Sequence, residues 1–162
     1  MRLGIISDTH NLLRPEVFDV FKEVDHILHA GDIGDPDILT ALEAIAPVTA
    51  VWGNTDGFDL RAKVPEVAKL RFEGTDFVVI HGHQVGSPTP EKLLAAYPNA
   101  EVIIYGHTHR PLLVTLEMVV TVMNPGGAGP TRFDLPPSVG IMELEAGIPP
   151  RARLVPLTDL DD

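Results

Sequence analysis

Seven side chains able to ligate a hard or borderline metal stand in five short stretches: Asp8 and His10 in "ISDTH", Asp32 in "HAGD", Asn54 in "VWGN", His81 in "VIHGH", and His107 and His109 in "YGHTHRP". Taken singly, each has a plain reading. Asp32 is a turn carboxylate, Asn54 a turn residue tolerant of left-handed backbone, and the two paired histidines a polar loop. Taken together, they form a donor set of carboxylate, amide oxygen and imidazole without sulfur. That set suits Mn²⁺, Fe, Zn²⁺, Ni²⁺ or Co²⁺ better than Cu(I), and has too many imidazoles for Mg²⁺ or Ca²⁺. Residues i and i+2 of an extended segment point to one side, which pairs Asp8 with His10 and His107 with His109. Seven donors exceed one tetrahedral ion but suit two ions about 3.5–4 Å apart that share a carboxylate. Asp32, with two oxygens, is the natural bridge.

What positions these residues is a series of apolar runs: Leu3–Ile6, Ile27–Ala30, Val48–Trp52, Phe77–Ile80 and Val102–Tyr105. Their length, β-branched content and Gly, Asp or Asn boundaries predict buried strands. Helical patterns intervene at Pro15–Val24, at Pro36–Ala46 with Asp35 as cap, and from Thr89 to about Ala96. Alternating strands and helices imply βαβ units and a mostly parallel sheet. After Pro111 the texture changes: Leu112–Leu116, Met118–Met123, Val139–Leu144 and Ala152–Val155 read as strands with no helix between them, and Val67–Phe72 as a hairpin arm. The second half is therefore expected to be antiparallel, with Gly126–Pro137 a long irregular loop. The expected architecture is α/β, two packed sheets with helices outside. In such sheets ligands bind beyond the carboxyl ends of the strands, which is where all seven candidates lie.

A length of 162 residues suits one domain, 1–162. With 23 acidic and 12 basic residues the formal charge is -11, a field that repels polyanions and argues against coating nucleic acid. An anionic substrate needs local positive charge. Two divalent cations bring +4, and ionised Asp8 and Asp32 leave the site at +2, which a hydroxide and a phosphate would balance. The absence of cysteine excludes disulfides and thiolate metal sites. No apolar run approaches the roughly 18 residues of a membrane span, and Leu3–Ile6 is too short for a secretory signal. Cytoplasm is the expected compartment, with no membrane partner.

"DTH", "GD", "GNTD", "HGH" and "GHTH", in that order and each after a strand, resemble the calcineurin-like metallophosphoesterases, in particular their small bacterial and archaeal phosphodiesterase branch. The match runs from Met1 to "NPGG" at Asn124. One motif alone is weak; five in order are specific. The resemblance implies a four-layer α/β/β/α sandwich of two mixed sheets flanked by helices, with a dinuclear centre at one edge. It implies Asp8, His10, Asp32 and His109 on one ion and Asp32, Asn54, His81 and His107 on the other, with Mn²⁺ the first expectation. It further implies hydrolysis of a small phosphoester, most of all a phosphodiester, by a hydroxide bridging the two ions. No serine or cysteine nucleophile with its base is present. Many members carry a histidine directly after the motif asparagine. Here that place is Thr55, which cannot act as a general acid near neutral pH.

The remaining candidates divide by position. Asp56 is expected to fix its loop or orient a neighbour. His83, two residues after His81, either contacts phosphate and moves protons or is a solvated loop histidine. His26 and His29 read as sheet histidines. Arg110 and Arg132 are candidate phosphate contacts against a reading as surface charges. Asn124 reads as closing a turn before Pro125, and the tail "LTDLDD" as a solvated terminus. The rival to an enzyme is a non-catalytic scaffold module of the same fold, in which the metal site is degraded; here the ligand set is complete. A second copy of the chain could pair along an exposed strand edge.

Overall fold

The computed structural model of the chain describes residues 1–157. Two five-stranded sheets stack face to face. The first runs β10-β9-β1-β2-β3 and the second β4-β5-β6-β8-β7. In the first, β1 (Arg2–Ile6), β2 (His26–His29) and β3 (Val48–Ala50) are parallel, while β9 (Ser138–Glu145) pairs antiparallel with β1 and β10 (Ile148–Pro156) antiparallel with β9. In the second, β5 (Thr75–Ile80), β6 (Val102–Ile104) and β8 (Val120–Asn124) are parallel, flanked by antiparallel β4 (Val67–Phe72) and β7 (Leu112–Leu116). Both sheets are mixed, as the sandwich fold requires.

Strand periodicity builds the layers directly, because alternate residues face opposite sides. Leu3, Ile5 and Leu28 meet Phe77, Val79, Val102 and Ile104 between the sheets. Ile6 and Ile27 point the other way, onto Val17 and Phe21 of the α1 region (α1, Glu16–Val20), Leu42 of α2 (Asp37–Glu43) and Leu60 of α3 (Phe58–Lys63). On the second sheet Val78, Ile80 and Ile103 cover Leu93 of α4 (Pro90–Ala96). Three apolar interfaces thus hold four layers. Each fully buried aliphatic or Phe side chain in them contributes roughly 1.5–3 kcal/mol of transfer free energy.

Four expectations are corrected. Helices α1 and α2 are shorter than their apolar patterns, because Phe21, Val24 and Ala46 are buried from the turns that follow them rather than from the helices. The N-cap of α2 is Pro36, without a side-chain cap, and Asp35, one residue earlier, accepts from the Asp37 N–H at 2.9 Å. Helix α3 was not expected; only Leu60 of its six residues is buried, so it carries almost no periodic signal. The second half is not purely antiparallel, since β8 lies parallel to β6. Finally, Leu157, the first residue of the acidic tail, is buried and donates its N–H to the Pro137 carbonyl at 2.8 Å. The rest of that tail, from Thr158, lies outside the described residues. Among the described residues no helix is long and apolar enough to cross a membrane.

Candidate metal centre

All seven candidate ligands lie just beyond the carboxyl ends of β1, β2, β3, β5 and β6, at the edge where the two sheets meet. Asp8, His10 and His109 bring donor atoms within 4.8 Å of one another, and so do Asp32, His81 and His107. Asn54 joins the second group, its Oδ1 3.1 Å from His107 Nδ1. The means of convergence differs from the extended geometry expected. Asp8, His10, Asp32, His107 and His109 all have positive φ, between 43° and 74°. Left-handed backbone costs a non-glycine residue roughly 1–2 kcal/mol, and such strain concentrates at functional sites.

Each carboxylate has one oxygen fixed and one free. Asp8 Oδ2 accepts from the Ser7 hydroxyl at 2.7 Å and the His107 N–H at 3.0 Å. Its Oδ1 is buried without a hydrogen-bond partner, 3.5 Å from His109 Nε2 and 3.6 Å from His10 Nε2. Asp32 Oδ1 accepts from the Thr55 N–H at 2.9 Å, while Oδ2 stands 3.1 Å from His81 Nε2 and 3.6 Å from His10 Nε2. Of the two Asp32 oxygens, Oδ2 is the one that stands near imidazoles of both groups. Burial raises the pKa of each carboxyl, but the facing imidazoles outweigh it and hold both below the ordinary value. His10, His81 and His109 act on Asp8, and His81, with the Thr55 N–H, acts on Asp32.

The imidazoles are oriented in the same way. His81 Nδ1 donates to the Ala30 carbonyl at 2.8 Å, which leaves Nε2 as the inward nitrogen, buried and without a hydrogen bond. Burial lowers the His81 pKa, yet Asp32 and Asp8 overcome it and raise it. The Nε2 atoms of His10 and His109 face each other at 3.2 Å, their rings stacked at 5.0 Å. Burial, with the positive charge of neighbours, depresses His107 and His109; His81 is the neighbour for the first, His10 and Arg132 for the second. Neutral imidazole is the ligating form. Unpartnered buried donors aimed at a common space, in an all-nitrogen and oxygen set, fit divalent cations.

The support of this centre is more extensive than the sequence reading anticipated. Asp56, buried, accepts from the N–H groups of Gly53 at 2.9 Å, Gly34 at 3.0 Å and Ile33 at 3.2 Å, so it ties the Asp32 loop to the Asn54 loop. Arg61 lies over the Trp52 ring at 4.2 Å and donates to the carbonyls of Asp56 and Asn54. Asn124 does close its turn, accepting from the Gly126 N–H at 2.9 Å. It also donates to the Gly106 carbonyl at 3.1 Å and the Thr108 hydroxyl at 3.0 Å, clamping the loop that carries His107 and His109. At Gly106 a Cβ would strike Ser7 Oγ and come within 2.6 Å of Asp8 Oδ2.

His83 sits beside the centre, its ring 5.5 Å from that of His81 and 5.6 Å from that of Trp52, with Nδ1 buried and unpartnered. His26 bonds Thr49 at 2.8 Å. His29 is fully buried: Nδ1 accepts from the Gly31 N–H, and Nε2 lies 3.1 Å from Thr9 Oγ1, whose hydroxyl donates to the Ile33 carbonyl. Both act within the sheet rather than the centre. Arg110 is exposed and stacks on Phe133 at 5.5 Å.

Known proteins are similar to this chain over nearly its whole length. A probable metallophosphoesterase of Methanothermobacter thermautotrophicus is 40% identical over 152 residues, 90% of this chain and 87% of its own. The structure of an archaeal phosphodiesterase superposes with a TM-score of 0.75 at 26% identity, covering 96% of this chain and 100% of that one. Vps29 of Entamoeba histolytica in complex with Zn²⁺ gives a TM-score of 0.78 at 21% identity, over 98% and 100% of the two chains, a likeness of fold. Residues 1–147 match the model of the calcineurin-like phosphoesterase superfamily domain, so the chain that brings five strand-end motifs to one sheet edge belongs to that superfamily.

Proposed function

We propose that this protein hydrolyses phosphoesters, phosphodiesters foremost, with two divalent cations bound at the sheet edge. Asp8, His10, Asp32 and His109 hold one ion, and Asp32, Asn54, His81 and His107 the other. The observation that carries this reading is the division of labour within each carboxylate: one oxygen is fixed by hydrogen bonds, and the other faces inward-turned imidazole nitrogens. When bound, such a pair of ions supplies an activated water and neutralises charge developing on phosphoryl oxygens. Mn²⁺ is our first choice, with Ni²⁺, Fe, Zn²⁺ and Co²⁺ as the others.

The chain's own residues do the positioning. Asp32 Oδ2 sets the distance between the two groups, Ala30 fixes the His81 tautomer, and Asn124 holds His107 and His109 in register. His83 and Asp56 complete the surroundings, the first within reach of a phosphate and the second as a brace for Asn54 and Asp32. We place the protein in the cytoplasm, as a single domain acting on a small phosphoester.

Turnover of an aryl phosphodiester and its monoester by the purified chain, with Mn²⁺, Ni²⁺, Zn²⁺ or chelator, tests this. Metal-dependent hydrolysis that is lost in Asp32→Asn and His107→Ala is expected. Wild type and both variants equally inert with every metal would sink the hydrolase reading and leave the scaffold role.

A further inference from the structure

The loop between β8 and β9 is anchored at its root on the candidate metal centre and displays an exposed aromatic ring at its tip. At its root, the Ala128 N–H donates to the Ser7 carbonyl at 3.0 Å and the Gly129 N–H to the Asp8 carbonyl at 3.2 Å, while Arg14 Nε donates to the Gly129 carbonyl at 3.0 Å. A Cβ at Gly127 would come within 2.7 Å of His109 Nδ1. Loop and candidate ligands are thus in contact. Its tip turns back through a bridge between Arg132 and Leu135. Phe133 and Asp134, at that tip, both have φ of 56°. Positive φ is an outlier for a bulky side chain and persists only where the surroundings enforce it.

That strained turn holds Phe133 out of every apolar cluster, 66% exposed. Its partner is the Arg110 guanidinium, which belongs to the residue after His109. In a chain of net charge -11, this loop sets an exposed ring beside the Arg110 guanidinium and touches His109 at Gly127. An exposed ring beside a cationic group suits a ligand that is itself part planar ring and part anion.

We infer that Phe133 and Arg110 form a ring-binding subsite beside the metal centre, which takes the planar ester group of an aryl or nucleoside phosphate. This rests on the phosphoester reading and names the substrate class within it. The phosphate sits toward His109 and the ring stacks on Phe133.

Phenyl phosphate, adenosine monophosphate and methyl phosphate carry the same phosphate and differ in the ring. Their inhibition of Mn²⁺-dependent turnover of a chromogenic phosphodiester, and their direct binding by calorimetry, test the subsite. Ring-bearing esters are expected to bind wild type about tenfold more tightly than methyl phosphate, a preference that Phe133→Ala reduces to about one and Phe133→Trp retains. Preference for phenyl phosphate alone narrows the class to aryl esters. An unchanged ratio in Phe133→Ala, or no preference in wild type, overturns the inference. If wild type turns over nothing with any metal, the hydrolase reading fails while the calorimetric ratio still decides the subsite.

Discussion

The Nε2 atom of His81 lies 3.1 Å from Oδ2 of Asp32, while the other nitrogen of the same ring is committed to the Ala30 carbonyl. A lone pair and a carboxylate oxygen at that distance repel unless positive charge lies between them. The same relation recurs at Asp8 Oδ1 with His109 and His10. At His81 a proton supplies that charge, which is why Asp32 and Asp8 raise its pKa, and a metal ion would take the proton's place.

Metal binding should accordingly stabilise the folded chain. Mn²⁺ at about 100 times its dissociation constant adds roughly 2.7 kcal/mol per site, read as a rise in thermal midpoint that chelator reverses. Elemental analysis of the loaded protein should give two ions for wild type. His109→Ala and His107→Ala should each retain one, and Asp32→Asn should weaken both. Equal stoichiometry across all four proteins would contradict the shared-oxygen arrangement.

Asn124→Asp keeps the size of the side chain and removes the two donated hydrogen bonds to Gly106 and Thr108. Metal affinity is expected to fall about 10- to 100-fold, as for other changes that disorient a ligand without touching the metal. Calorimetric titration of Mn²⁺, set beside the thermal midpoint of the metal-free variant, separates disoriented ligands from a general loss of fold.

Thr55, directly after Asn54, has no group able to protonate a leaving oxygen near neutral pH. General acid catalysis is worth about 10²- to 10⁴-fold, so phosphodiesters with phenolic leaving groups should outpace alkyl ones by at least about 10². Comparable rates for the two would mean that another group protonates the leaving oxygen, and His83→Ala would then be the variant to compare.

His29 is neutral when folded, its pKa pushed down by burial to about 4 from an ordinary 6.5. Between those values the unfolded chain binds a proton that the folded chain does not. Stability is thus independent of this group above about pH 6.5 and is lost as pH falls to about 4, by about 3 kcal/mol in all. Urea midpoints in chelator at pH 7.5 and 5 should fall less in His29→Gln than in wild type. A parallel fall in both proteins would assign the acid sensitivity elsewhere.

The seven candidate ligands were legible because residue type and strand-end position are local features: an apolar run followed by Asp, Asn or His needs no knowledge of packing. Their backbone was not. His107 and His109 take left-handed φ, and Gly106 beside them has no side chain so that Ser7 and Asp8, about a hundred residues earlier, can approach. Asn124 was read as a turn residue because one of its three hydrogen bonds is local, to Gly126; the other two reach back to another strand end. Helix α3 escaped notice for the opposite reason, being a real element with a single buried residue.

Sheet order has a bearing on biosynthesis. Strand β1 pairs with β2 early in the chain, but its other edge waits for β9, where Leu3 meets Met142 and Ile5 meets Gly140. The Ser7 and Asp8 carbonyls are likewise satisfied only by Ala128 and Gly129. Non-local pairings of this kind form late, after the intervening chain has been ordered. A growing chain on the ribosome thus carries "DTH", "GD" and "GNTD" in place long before the cradle around them closes. The backbone that braces the first three ligand segments is thus supplied by the last strands and loops described, so the candidate centre forms only with the complete sandwich.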